Sequence, residues 1–260
     1  MTVSASFRTR VLAAVAAAGL VLAAAPVAAQ TETERVDRTI PFTAQGTITL
    51  KNFSGDVRIT GTSEAQVVIK AVRRATRERL DRIKLEIEES GSSLTINANK
   101  RDDRDDWSDE NHNNNNVVET EFDIQVPAGS RLDISVFSSD VNVTGVAGEQ
   151  KVHSFSGTLT LVGVRGPVEA QTFSAGIRVE VDGVTEPDLQ LETFSGDIEA
   201  RLPGDARGRV RFDSFSGDIQ SDLPLLLRSK SRRSLDADLG SGGGRDLRFK
   251  TFSGDVTLRR

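Results

Sequence analysis

Four short stretches of the chain set an aspartate in the same surroundings: Phe53-Ser54-Gly55-Asp56, Phe194-Ser195-Gly196-Asp197, Phe215-Ser216-Gly217-Asp218 and Phe252-Ser253-Gly254-Asp255. Repeated carboxylates could do two kinds of chemistry. A pair at a set separation could serve as acid and nucleophile at a glycosidic bond. Asp197 and Asp218, expected on adjacent coils, could instead share a cation, because neighbouring like charges need solvent, an arginine or a bridging ion. The serines lack the surroundings of a nucleophile, since neither Gly-x-Ser-x-Gly nor Ser-x-x-Lys occurs. The two histidines, His112 and His153, are far apart and without metal-ligand spacing. There is no cysteine, which excludes disulfides, thiolate metal sites and a lipid-modified N-terminal Cys.

Calcium signals are partial. "DDRDDWSDE" (102–110) has no glycine for an EF-hand turn, and "SGGGRD" (241–246) matches part of the calcium nonapeptide once. The aromatic residues that usually stack on sugars are scarce, with no Tyr and a single Trp107. "NFS" at Asn52 and "NVT" at Asn142 fit the glycosylation pattern but fall inside repeat strands. The expectation is therefore no catalytic residue, no cofactor and no metal, and a structural role for the repeated motif.

Near-copies extend it: "FSSD" at Phe137, "FSGT" at Phe155 and "FSAG" at Phe173, so that seven of the 12 Phe precede a Ser. From Phe137 onward they are 18, 18, 21, 21 and 37 residues apart, the last gap read as two rungs with a degenerate corner near Leu235. A fixed period near 20 is the mark of a solenoid. Apolar residues occupy odd offsets before each Phe (Leu189 and Leu191 before Phe194) and even offsets after it (Ile198, Ala200, Leu202). Strand side chains alternate faces, so a switch of parity marks a bend. Phe53, Phe137, Phe155, Phe173, Phe194, Phe215 and Phe252 are thus read as corners, with Gly55, Gly157, Gly196, Gly217 and Gly254 supplying backbone freedom. The Phe side chains are expected to re-enter and stack inside, each costing roughly 3–5 kcal/mol on removal.

The elements around these corners are less regular at the N-terminal end. Gly46–Gly61 is a first unit, Gln66–Ala75 a strand, and Ile83–Asn99 a hairpin turning at Ser90-Gly91. Residues 100–116 are polar, acidic and Asn-rich and read as a flexible surface insertion, a candidate contact loop. Residues 1–29 read as a signal peptide: Arg8 and Arg10, an apolar run, and small residues before Gln30. Residues 30–38 read as a linker and 39–260 as one domain, most regular over 131–260. Removing the leader takes away two Arg, leaving 31 basic against 38 acidic residues, net −7, which offers no footprint for nucleic acid. No further long apolar run is present, so the mature chain is expected without a transmembrane segment. The terminal Arg259-Arg260 is expected to guard an open strand edge.

The recurring "FSGD(I/V)" and the end "LGSGGGRDLRFKTFSGDVTLRR" (239–260) resemble the bacterial putative-adhesin family, exported domains of unknown function with Ser-Gly-Asp-Ile repeats. Gly240 to Gly244 and Ser253 to Val256 match that family's Gly-rich turn and final strand. The resemblance implies an all-β, right-handed parallel β-solenoid without a catalytic site. The functional expectation is an exported, non-enzymatic envelope protein, periplasmic or on the cell surface, offering a rigid surface to an envelope protein or a glycan. The competing readings are a carbohydrate-active enzyme using Asp197 and Asp218, and an envelope-stress accessory protein.

Overall fold

The computed structural model describes residues 31–101 and 117–260; the expected signal peptide and all but the first two residues of the expected insertion lie outside them. The short, β-branched, alternating segments become strands throughout. In chain order these are β1 (Thr31–Pro41), β2 (Thr47–Ser54), β3 (Val57–Thr62), β4 (Gln66–Thr76), the helix α1 (Arg77–Arg82), β5 (Ile83–Ser90), β6 (Ser93–Arg101), β7 (Glu119–Pro127), β8 (Arg131–Ser138), β9 (Val141–Thr144), β10 (Gln150–Ser154), β11 (Leu159–Val164), β12 (Val168–Thr172), β13 (Ile177–Val181), β14 (Leu189–Ser195), β15 (Ile198–Arg201), β16 (Gly208–Ser216), β17 (Ile219–Ser221), β18 (Leu225–Lys230), β19 (Ser234–Leu239), β20 (Asp246–Ser253) and β21 (Val256–Arg259).

A strand ending at a Phe-Ser corner and the strand after it form one rung. Equivalent strands of successive rungs pair in parallel, giving a solenoid of two ladders. The ladder before the corners runs β6-β2-β8-β10-β12-β14-β20-β16. The ladder after them runs β7-β3-β9-β11-β13-β15-β21-β17. Their inner faces close on one apolar core. Leu191, for example, lies in register with Ala170 on one side and Phe249 on the other, all buried.

Four expectations about order fail. Leu235 is not a degenerate corner: it belongs to β19, which pairs antiparallel with β16 and β18 as an appended hairpin. The last rung does not follow the Phe215 rung but lies between it and the Phe194 rung, because β20 pairs with both β14 and β16. Asp197 and Asp218 are consequently not on adjacent rungs; Asp255 stands between them. For the same reason Arg259 is not on an open edge, since β21 pairs with β15 and β17.

Antiparallel strands finish both ends. At the N-terminal end β4 pairs with β7 and β1 with β4, while β5 and β6 form a hairpin. Residues 31–38, expected as a linker, therefore make up most of an 11-residue strand. Arg73 of β4 is buried there, its guanidinium donating to Glu34 and to the Ile83 carbonyl.

Candidate functional site

Strand parity fixes which way each side chain at a corner points. In β14, Leu189, Leu191 and Thr193 are buried while Gln190 and Phe194 are not. Phe194 directly follows an inward residue, so it faces out. The same holds for all seven corner Phe, which are 38–53% exposed. The expected inward stack is thus corrected to an outward one: the turn in the chain comes after the Phe, not at it. The inner corner position belongs to the preceding residue, which is small or polar: Asn52, Val136, Ser154, Thr172, Thr193, Thr251 and Ser214.

The rings form one continuous outer column in the order Phe53, Phe137, Phe155, Phe173, Phe194, Phe252, Phe215. Neighbouring centroids are 4.6–5.1 Å apart and the planes are within 3–11° of parallel. That spacing is the strand spacing of the ladder itself, near 4.8 Å, so the backbone dictates the stack. Six such steps make a ribbon about 29 Å long. At its Phe215 end the Arg233 guanidinium lies 4.1 Å from the ring centroid and closes the column by a cation–π contact.

Two residues before each Phe a second outward column runs alongside, including His153, Gln171, Glu192, Lys250 and Asp213. Between this column and the rings lies a groove of about 680 Å³, open to solvent, with Phe173, Phe194, Phe252 and Phe215 on one wall and Arg233 at its end. Lys250 is ion-paired with Glu192 across adjacent rungs. One wall is therefore apolar, made of ring edges, and the other polar and of mixed charge.

The predicted chemistry of the motif is otherwise employed. The Asp197 carboxylate accepts the backbone N–H of Asp255 at 2.9 Å, and Asp255 in turn accepts that of Asp218 at 2.9 Å. Asp140 accepts the N–H of Thr158 at 2.7 Å. Each stitches its own corner to the next. Asp246, from the partial calcium motif, pairs with Arg211 and Arg248. His112 lies outside the described residues, and His153 lines the groove.

The corner glycines have a different rationale from the expected one. Gly157, Gly196 and Gly217 have no positive φ. Their need is space: a Cβ on them would stand 1.9, 2.1 and 2.0 Å from the carbonyl oxygens of Ser139, Ala175 and Gly254. Gly55 does adopt a positive φ, +100°. Gly254 lies equally close to the Gly196 carbonyl. Asn52, read as a chance glycosylation match, is 4% exposed, and its amide donates to the carbonyls of Ser54, Gly55 and Thr120.

Parity at the residue before each Phe was a signal for the outer column that the corner reading passed over. Arg233 and the polar column carried no local signal, because they meet the rings only through stacking of distant strands. Among the described residues no helix is long and apolar enough to cross a membrane.

Among solved structures, the chain is similar to a putative cell adhesion protein from Clostridium sporogenes, at 10% identity over 88% of this chain and 99% of that one, with a TM-score of 0.49. It is also similar to a putative adhesin from Bacteroides fragilis, at 8% identity over 86% and 97% of the two chains and a TM-score of 0.34. A third similarity is to a putative lipid binding protein from Parabacteroides distasonis, at 13% identity over 88% and 97% and a TM-score of 0.25. No curated protein matches the sequence. The family model described as Toastrack DUF4097 matches residues 31–259, the whole of the laddered domain, and the chain belongs to that family.

Proposed function

We propose that this protein is an exported, non-catalytic scaffold of the cell envelope whose aromatic groove receives a protein partner. The observation that carries the reading is the column of seven Phe ring edges, 38–53% exposed and held at strand spacing beside a groove of about 680 Å³. An apolar ribbon this long on a soluble surface marks an interaction site. A protein fits it better than a glycan. The faces of the interior rings are used up against each other, which leaves only their electropositive edges to a ligand. Side chains of a protein can pack against such edges, whereas a sugar ring lacks the open aromatic face it would stack on. The enzyme reading is weakened because Asp255 stands between Asp197 and Asp218, and the Asp197 carboxylate holds a corner N–H group. Export rests on the N-terminal leader pattern of Arg8, Arg10 and the apolar run after them.

The test is a photo-crosslinking residue placed at Gln171 in the groove and, as control, at Arg178 of β13. Envelope-exposed cells should give one discrete protein adduct from position 171, lost when Phe173 and Phe194 are both changed to Ser. No adduct, or the same adduct from position 178, would end the proposal.

A further inference from the structure

A laddered fold must deal with the strands that end its sheets, since each presents unpaired N–H and C=O groups that invite another chain. Here there are four such strands among the described residues, and they are treated unequally. β1 carries Glu32, Glu34, Arg35, Asp37 and Arg38. β5 carries Lys84, Glu86, Glu88 and Glu89. β17 is three residues long. Charge or brevity blunts all three. β18 is six residues long, begins Leu225-Leu226-Leu227, and pairs only with β19. Leu226 and Leu227 are 64% and 62% exposed, more than any other large apolar residue described.

We infer that β18 is the seam of a homodimer, pairing antiparallel with β18 of a second copy across a two-fold axis at Leu226. The register follows from the backbone. Gly240 N–H donates to the Pro224 carbonyl, so Pro224 and Leu226 turn their backbone groups toward β19. Leu225 and Leu227 turn theirs to the open edge, because these directions alternate along a strand. An axis at Leu226 sets Leu225 of one copy opposite Leu227 of the other, so both donors and acceptors meet. The leucines then gather at the centre.

The charges are self-complementary in the same register. β18 is apolar at its start and basic at its end, with Arg228 and Lys230. Antiparallel pairing sets each basic end against the other copy's start and away from its basic end. Allowing for the bulge between Leu227 and Ser229, Lys230 comes within a residue of the level of the other copy's Asp222, and neither residue has an ion-pair partner among the described residues. A parallel pairing of the two β18 strands would bring the basic ends together. The isologous pair uses up both edges and closes. A single six-residue strand is a small seam beside the roughly 800 Å² per partner of a standard interface, so dimerisation should depend on concentration.

The absence of cysteine permits a direct test. In a non-hydrogen-bonded antiparallel pair the facing Cβ atoms are about 4.5–5.5 Å apart. Leu226→Cys in the mature protein should therefore oxidise to a covalent dimer, while Glu88→Cys on β5 should not. Light scattering of the wild type should give twice the chain mass at high concentration, and Leu227→Lys should return it to one, with an unchanged circular dichroism spectrum. A wild type that stays monomeric at its solubility limit overturns the inference. So does a dimer indifferent to Leu227→Lys. A third overturning outcome is a monomer whose Leu226 and Leu227 serve only to sediment it with anionic phosphatidylglycerol vesicles and not with phosphatidylcholine ones.

Discussion

Strand β20 holds two phenylalanines three residues apart, and they live in different environments. Phe249 is 1% exposed, between Leu191 and Phe212 in the inner layer; Phe252 is 44% exposed, between Phe194 and Phe215 in the outer column. Both columns are built by the same one-rung repeat, yet they follow different rules. The inner positions equivalent to Phe249 include Leu191, Ala170 and Val152, because a core accepts mixed shapes while the summed volume fills the space. The outer column is Phe at every corner, because each planar ring needs a planar neighbour on both sides. Identity of side chain here reports stacking at the surface, and variety reports packing in the core.

The sharpest way to break that comparison is to truncate both rings. Phe249→Ala should cost about 3–5 kcal/mol, the range for a fully enclosed aromatic. Phe252→Ala should cost about 1–2 kcal/mol, from half the burial plus the loss of two ring contacts. Urea unfolding of the two variants measures both. Equal costs would make the outer column a second core and remove the reason to regard it as a binding surface.

The corner glycines sharpen the comparison from the backbone side. If they serve close approach between rungs, Gly196→Ala should destabilise by about 1–3 kcal/mol through overpacking against the Ala175 carbonyl. Gly183, with φ +66° and open space around it, should respond only to the left-handed strain of an alanine, about 1–2 kcal/mol. The two can be told apart by Asn, which tolerates the left-handed region: Gly183→Asn should recover stability and Gly196→Asn should lose more.

How much of this was legible in the sequence depends on range. The alternation around each Phe is local, and it specified the all-β class and the strands flanking the corners, as the alternation of residues 83–99 did the hairpin. The facing of Phe194 was also local, since Thr193 continues the inward series of Leu189 and Leu191. The order of the rungs was not. Leu247 and Phe249 offer the same apolar pair to any neighbour, and only the competition among all the strands places β20 between β14 and β16. The groove inherits that difficulty: Lys250 and Glu192 are 58 residues apart and meet only because the last rung is inserted.

The smallest expected effect concerns how the ends are tied to the rungs. At one end Arg74 of β4 grips Glu121 of β7, at 2.6 and 3.2 Å. At the other, Arg209 of β16 grips Asp236 of β19. The hydrogen bonds from these guanidiniums hold both carboxyls below their ordinary range. A carboxyl whose pKa is lowered by folding adds stability above its unfolded value, near pH 4, and loses it as the pH falls through the folded value. Acid should therefore loosen the two antiparallel ends that these pairs hold. The effect is small because the pairs are exposed to solvent. The double variant Glu121→Gln, Asp236→Asn should melt slightly below the wild type at neutral pH and lose less on acidification, so that the two melting curves converge. All other carboxyls act equally in both proteins and drop out of the difference. Curves that stay parallel down to acid would show that the ends are held by their backbone pairing and apolar contacts alone.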